Sequence, residues 1–229
     1  MDEEFRSKVS VVIPALNEER SIVEITEKCL PYSNDVLIID GDSTDRTVEL
    51  GREAGARIVV CKERGKGLAL RKAIAYVKNE ITVFIDADGS HDPDEIPNLV
   101  QPILDDKADH VSGSRLLGGS DELHGTFDEC FRLMGSSFIT AMINWKFNVR
   151  LSESQNGFRA AKTEVLRSLD LREEITTIEQ EMIIKTLKKG YRMMDVPSHE
   201  YRRKYGESHI KLTSVSYRYV YSFIKYLFF

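Results

Sequence analysis

Cysteine is scarce in this 229-residue chain: Cys29, Cys61 and Cys130 are widely spaced and form no Cys-x-x-Cys pair. Zinc or thiol redox chemistry is therefore not expected, and a reducing compartment is. No apolar run is long enough to span a bilayer. The start, Met1-Asp2-Glu3-Glu4, is acidic and is expected to run quickly into a strand. It has neither the basic start nor the apolar stretch of a secretory signal. Positive charge is not in excess, with a net of -5 and a pI near 5.7, which argues against a general nucleic-acid binder. A Walker loop is also lacking. Glu63-Arg64-Gly65-Lys66-Gly67 is too short in glycine spacing, and no glycine-rich loop follows the first strand, where Pro14-Ala15-Leu16-Asn17 stands. That second absence disfavours a nucleotidyltransferase. Internal repeats and low-complexity segments are missing too. The length suits one α/β domain with a proper core.

What is present is a pair of acids. Asp86-Ala87-Asp88 follows the apolar run Ile81-Thr82-Val83-Phe84-Ile85. On an extended backbone, residues two apart point the same way. Two like charges at the mouth of an apolar core repel and resist desolvation, so they call for a cation. A hard divalent ion, Mg2+ or Mn2+, carrying a substrate phosphate is the natural occupant.

The first half reads as strands alternating with helices. Strands are expected at 9–13, 36–39, 57–61 and 81–85, with helices at 18–30, 44–54, 68–78 and 94–104. Pro97 and Pro102 are expected to break up the last of these. This alternation implies a mostly parallel sheet with both faces covered, whose ligands bind at the carboxyl ends of the strands. The second half is less regular: a short strand at 110–112, a loop at 118–125, a helix at 131–147, a helix at 177–189 and a last strand at 193–196. The stripe Phe131, Met134, Phe138, Met142 and Trp145 is expected to pack in the core.

Several strand-end motifs carry chemistry. Asp40-Gly41-Asp42-Ser43-Thr44-Asp45 follows the second strand, and Asn17-Glu18 follows the first. Acids there can accept from a base N–H or ribose hydroxyls, although Asn17, Asp42 and Ser43 each also suit helix capping. In Gly65-Lys66-Gly67 the glycines would let backbone approach a ligand, and Lys66 offers a cation. From Tyr201 onward Arg202, Arg203, Lys204, Lys211, Arg218 and Lys225 face one acid, Glu207, and the end is crowded with aromatics. Such composition suits a membrane interface as well as it suits a terminal helix packed on the domain, and the apolar end also fits a chain that stops where a membrane segment begins. The division expected is 1–212 for the main domain and 213–229 for this segment.

Taken together, Val11–Glu18, Asp40–Thr47, Gly65-Lys66-Gly67 with Arg71, and Asp86-Ala87-Asp88-Gly89 resemble family 2 glycosyltransferases of the GT-A fold. Gly113-Ser114-Arg115, Asn156-Gly157-Phe158-Arg159-Ala160 and Arg203-Lys204-Tyr205-Gly206-Glu207-Ser208 extend the resemblance to the dolichyl-phosphate and other polyprenyl-phosphate mannose or glucose synthases. The resemblance covers nearly the whole chain. It implies that Pro14, Asn17, Glu18, Asp40, Asp42, Lys66, Asp86 and Ala87 line the nucleotide-sugar site. It makes Asp86 and Asp88 the ligands of Mg2+ or Mn2+ on the donor diphosphate. Arg115 would approach the phosphates or acceptor, and Arg132, Ser136, Arg203 and His209 would bind the lipid phosphate. Asp88, Arg115, Arg132 and Arg203 are thus the catalytic candidates, although any one of the arginines alone would suit a surface ion pair. The implied reaction inverts the sugar carbon.

The chain departs from the family pattern in three places. The turn reads Asp-Gly-Asp-Ser instead of Asp-Asp-Gly-Ser, which leaves open how Asp40 and Asp42 divide the nucleotide contacts. Ser90 then His91 stand where mannose synthases tend to carry a Gln metal ligand, so Ser90, His91 or water is the third ligand. His209 replaces a usual Lys. The Gln-x-x-Arg-Trp motif of processive synthases is absent. The Arg64–Gly67 loop and Ala87-Asp88-Gly89 lie nearer glucose-type synthases, tilting the donor towards UDP-glucose or UDP-N-acetylglucosamine over GDP-mannose. The expected acceptor is a polyprenyl phosphate and the expected location the cytoplasmic face of a membrane, held peripherally. A hydroxyl acceptor is the alternative; it needs a general base, for which Glu179, Glu181 and His91 are the candidates. A noncatalytic nucleotide- or membrane-binding module would leave Asp86 and Asp88 without a purpose.

Overall fold

The computed structural model describes residues 1–121, 127–203 and 212–228, with backbone alone at 127–132 and 212–216. Its centre is a sheet of β1 (Val9–Ala15), β2 (Asp35–Asp40), β3 (Arg57–Val60), β4 (Ile81–Phe84), β5 (His110–Ser114), β6 (Arg159–Lys162) and β7 (Met193–Pro197). The order is β3-β2-β1-β4-β6-β5-β7. All neighbours are parallel except around β6, which runs antiparallel to β4 and β5. The mostly parallel α/β sheet expected from the sequence is thus present, with one reversed strand, and the short helices α3 (Thr47–Glu53), α6 (Arg115–Gly118) and α8 (Thr163–Ser168) follow β2, β5 and β6.

Alternation along β1 divides the core. Val9, Val11 and Ile13 join Ile22 and Ile25 of α2 (Ile22–Cys29) and Leu99 and Val100 of α5 (Ile96–Leu104) on one face. Val12, with Leu37, Ile39 and Phe84, meets Ala69, Leu70 and Ala73 of α4 (Lys66–Tyr76) and Met182 of α9 (Ile178–Lys188) on the other. The polar break at Ser10 is satisfied inside: its hydroxyl donates to Asp35 at 2.6 Å and accepts from the Asn79 amide. A third cluster joins Ile139 and Ile143 of α7 (Phe127–Phe147), Ile183 and Ile184 of α9, and Phe223, Tyr226 and Leu227 of α10 (Leu212–Phe228).

Three expectations need correction. The N-terminus forms a helix, α1 (Glu3–Lys8), capped by Asp2 accepting from the Phe5 amide at 2.9 Å, before β1 begins. α5 is not broken up: Pro97 falls in its first turn, where no N–H is required, and the helix runs through Pro102. The core role given to the α7 stripe fails for Met134, Phe138 and Trp145, which are 64%, 62% and 72% exposed. Phe131 lies outside the described side chains, and the 122–126 part of the expected loop outside the described residues.

Candidate active site

The carboxyl ends of β1, β2 and β4 lie side by side and carry their loops to one edge of the sheet. At the first two ends, Asn17 adopts a left-handed backbone (φ 57°); its amide donates to Ser43 Oγ at 2.9 Å and its side chain accepts from the Thr44 amide at 2.9 Å. It ties two strand-end loops together and caps no helix. Asp40 is 1% exposed and accepts from the Asp42 and Ser43 amides at 3.0 Å each and from Ser43 Oγ at 2.5 Å. Its carboxylate shapes the turn, leaving Asp42, exposed at φ 69°, as the acid that faces solvent. The Glu18 carboxylate accepts from Ser21 Oγ, and Pro14 pairs in register with Ile39.

β4 ends at Phe84, and Ala87-Asp88 form a turn. The extended alternation that would aim both acids alike therefore does not reach them. Each meets a cation of its own instead. Lys66 Nζ, on the first turn of α4, lies 2.7 Å from Asp86 Oδ1 and 3.0 Å from Glu179 Oε1 on α9. Arg203 Nε lies 3.3 Å from Asp88 Oδ2, whose partner Oδ1 accepts from the Ser90 amide. Burial by itself pushes the Asp86 carboxyl up, but the charge and hydrogen bonds of Lys66 outweigh it and hold it below the usual carboxylate range. Burial likewise disfavours the Lys66 ammonium, and the two carboxylates more than reverse this, raising it above the usual lysine value. The Ala87 side chain is buried in the core.

Gly157 covers this group. A Cβ there would stand 3.0 Å from both Asp86 Oδ2 and Lys66 Nζ and 3.2 Å from Glu179 Oε1. The two glycines around Lys66 serve another end than the ligand approach expected. Gly65 (φ 143°) and Gly67 make room for the chain's own backbone at 173–175, and a Cβ on Gly67 would stand 2.5 Å from Glu173 O. Beside the site, His91 stacks on Phe158 at 5.1 Å, with its Nδ1 buried and unpartnered. Ser90 is buried, and its carbonyl accepts from the Tyr201 amide at 2.8 Å, which seats the segment bearing Arg203 against the turn bearing Asp88.

Other expected residues pair with partners outside that cluster. Arg115 follows β5 and is held by Glu153, through Nε at 2.7 Å and through Nη2, and by Glu200 at 3.0 Å. These two acids outweigh its burial and push the guanidinium further above its ordinary value. Nothing in the sequence spacing singled out Glu153 or Glu200. Ser136 is half-buried on α7; the Arg132 side chain and His209 fall outside what is described. Glu181 is fully buried, accepting from the Arg172 and Glu173 amides and paired with Lys185. Arg159, also fully buried, donates to the carbonyls of Glu179 and Asn156 and so fixes α9 against the loop of Gly157.

Among the described residues no group of three His, Cys, Asp or Glu side chains could hold a metal by itself. Two carboxylates with oxygen donors fit a hard divalent ion that takes its remaining ligands from a diphosphate. Residues 10–162 match the family model described as Glycosyl transferase family 2. Among curated proteins, the chain is 25% identical over 203 residues to the dolichyl-phosphate hexose transferase of Haloferax volcanii, covering 87% of this chain and 85% of that one. It is 28% identical over 184 residues to the UDP-N-acetylglucosamine–dolichyl-phosphate N-acetylglucosaminyltransferase of Methanococcus voltae, covering 70% and 72%. Its match to the low-salt glycan biosynthesis hexosyltransferase Agl6 of Haloferax volcanii is 26% identical, covering 96% of this chain and 54% of that longer protein. Among solved structures, glucosyl-3-phosphoglycerate synthase from Mycobacterium tuberculosis, in complex with Mn2+, UDP-glucose and phosphoglyceric acid, superposes with a TM-score of 0.79 at 24% identity, covering 96% and 80%. That likeness establishes the GT-A fold.

Proposed function

Because the chain belongs to glycosyl transferase family 2, we propose that it transfers a hexose, with inversion, from a nucleoside-diphosphate sugar to a polyprenyl (dolichyl) phosphate. The observation that carries this reading is the meeting of Asp86 and Asp88 with Lys66 and Arg203 at the carboxyl ends of parallel strands. The acids suit the divalent ion of a donor diphosphate, Mg2+ or Mn2+, which when bound neutralises the departing nucleoside diphosphate. Asp42 and Asn17 stand at the neighbouring strand ends, where a nucleoside would lie. Arg203 brings a cation to the side of Asp88, which suits an anionic acceptor.

A phosphate oxygen is already anionic at neutral pH, so the protein has only to position it and screen its charge. This accords with the state of the carboxylates. Glu181 is locked into backbone amides and Glu179 is held by Lys66, so neither stands free to take a hydroxyl proton. Relatives named for dolichyl-phosphate transfer support the acceptor, and a relative named for UDP-N-acetylglucosamine supports a UDP-sugar donor.

A lipid-phosphate acceptor puts the chain at a membrane, and the outer faces of α7 and α10 suit that surface. Peripheral attachment on the cytoplasmic side is part of the proposal, with 1–212 as the catalytic domain and 213–229 as the interfacial segment. The test is incubation with Mn2+, a panel of labelled UDP- and GDP-sugars, and dolichyl phosphate in vesicles. Label extracted as an acid-labile lipid phosphosugar is the expected result. Label found only in free sugar or a soluble acceptor overturns the acceptor assignment.

A further inference from the structure

The last turns of α7, α9 and α10 come together. Lys146 Nζ of α7 stands 5.7 Å from the centre of the Phe228 ring of α10, and Lys185 Nζ of α9 stands 5.1 Å from that of Tyr226. The lysines gathered there differ in what holds them. Lys185 is 2.7 Å from Glu181, and Lys225 is 3.7 Å from Glu173. Lys146 and Lys188 are exposed, and among the described residues neither meets a carboxylate. Partial burial, and after it the like charges of Lys146 and Lys185, hold the Lys188 ammonium below the ordinary lysine value. A helix C-terminus accounts for a lysine in each last turn. It does not account for the exposed rings beside them: Trp145, next to Lys146, is 72% exposed, and Phe228 is 49% exposed.

We infer that Lys146 and Lys188 form a docking point for the anionic headgroups of a bilayer, at the end of the α10 outer face remote from the reacting groups. The exposed side chains Tyr217, Val220, Tyr221, Ile224 and Phe228 run along α10 to this point. Rings that enter the headgroup layer beside ammoniums that meet its phosphates match a charged lipid surface. A soluble anion would have no use for the rings. Glu179, which holds Lys66, is in the first turn of α9 and Lys188 in its last, roughly 14 Å along the helix axis. The anion at the lysines is therefore a bulk lipid and not the acceptor phosphate. The meeting with a membrane rests on the function proposed above; the choice of headgroup charge rests on the lysines.

The experiment reads binding without turnover. The full chain is sedimented with vesicles of phosphatidylcholine, with and without phosphatidylglycerol. The unmodified protein should bind the mixed vesicles more tightly, and the gain should fade as salt is raised. Lys146→Gln combined with Lys188→Gln should lose about tenfold or more in affinity for the mixed vesicles, the worth of two lysines near a charged surface. Its binding to phosphatidylcholine alone should not move. Lys146→Arg combined with Lys188→Arg should keep the preference. Both side chains are exposed, so the melting temperatures of all three proteins should agree. An unchanged preference in the Gln variant overturns the lysine assignment and leaves the membrane reading in place. An equal loss on both kinds of vesicle overturns the choice of headgroup charge. Failure of the unmodified protein to bind either vesicle overturns the membrane reading and the docking point together, and leaves an acidic protein surface as the occupant.

Discussion

Lys66 Nζ lies 3.0 Å from Glu179 Oε1, joining the first turn of α4 to the first turn of α9 across 113 positions of sequence. Asp86 completes the group from the end of β4. Three elements from both halves of the chain thus meet at one ammonium, and the electrostatics of the site depend on it.

Replacing Lys66 by Met leaves Asp86 and Glu179 as like charges without their cation. Breaking a fully buried pair costs about 3–5 kcal/mol. With Lys66 22% and Asp86 30% exposed, solvent screening reduces the expected loss to about 2 kcal/mol. The pH dependence fixes its origin. The Asp86 carboxyl lies below its ordinary value in the fold, so its contribution is present above the unfolded value and fades as pH falls through the folded one. The Lys66 ammonium lies above its ordinary value, so its contribution is complete below the unfolded value and fades only as pH rises through the folded one. Urea unfolding should show a constant gap between the two proteins from about pH 5 to 9, narrowing below about pH 4. A gap that does not change with pH would assign the loss to packing.

Asp88→Asn keeps the shape of the side chain and its acceptor for the Ser90 amide, and removes the charge. If the acid holds the ion of the donor, sugar transfer should fall by about a hundredfold or more. Thermal stability should be little changed. Turnover equal to that of the unmodified protein would remove the metal assignment.

The strands were legible in the sequence because apolar runs of strand length, closed by turn residues, have few alternatives, and β1, β2 and β4 hold within two residues of where the pattern puts them. β6 was not. Arg159-Ala160-Ala161-Lys162 has no β-branched residue, and it is a strand because β4 and β5 offer it ladders on both edges. The helix over 3–8 carried its own signals, an Asp cap with acids in the first turn and bases in the last, and these were outweighed by the apolar run behind them. At the site, the acids and Lys66 stood out through their place at strand ends. Which acid pairs with which cation is a matter of tertiary approach, as with Arg115 and Glu153, 38 residues apart. The role of Gly65 and Gly67 is hidden for the same reason, since the backbone they admit comes from residues 173–175.

Gly157 and Gly67 offer a contrast between site and scaffold. The nearest atoms to a methyl group at Gly157 are the ends of the Asp86, Lys66 and Glu179 side chains, at 3.0–3.2 Å, and these can shift. Gly157→Ala should keep its melting temperature within a few degrees and lose at least about tenfold in transfer, because small displacements of a positioned site are costly. A methyl at Gly67 meets backbone at 2.5–2.8 Å that cannot yield as easily. Gly67→Ala should be destabilised by about 1–3 kcal/mol, as for other overpacked interiors. Equal effects of the two on stability would contradict the distinction.

The outer faces of α7 and α10 carry exposed aromatic and apolar side chains. α10 is amphipathic in an unusual sense: Phe223, Tyr226 and Leu227 are buried against α7 and α9, while Tyr217, Val220, Tyr221, Ile224 and Phe228 face outward. The packed and the interfacial reading of this tail therefore concern opposite faces of one helix. Deleting the tail would remove part of the third core cluster, so it cannot separate membrane affinity from folding. No helix among the described residues is long and apolar enough to cross a membrane, and an exposed face of aromatics with Arg218 and Lys225 along the helix suits the headgroup boundary. Tyr221→Ser with Ile224→Ser changes only outward positions. Flotation with vesicles of phosphatidylcholine and phosphatidylglycerol should show at least about a tenfold loss of bound protein, given the apolar area withdrawn. Trp145→Ser should add to it from α7. Transfer to a short, water-soluble prenyl phosphate should be unaffected by all three. Undiminished flotation would mean that this face meets something other than lipid.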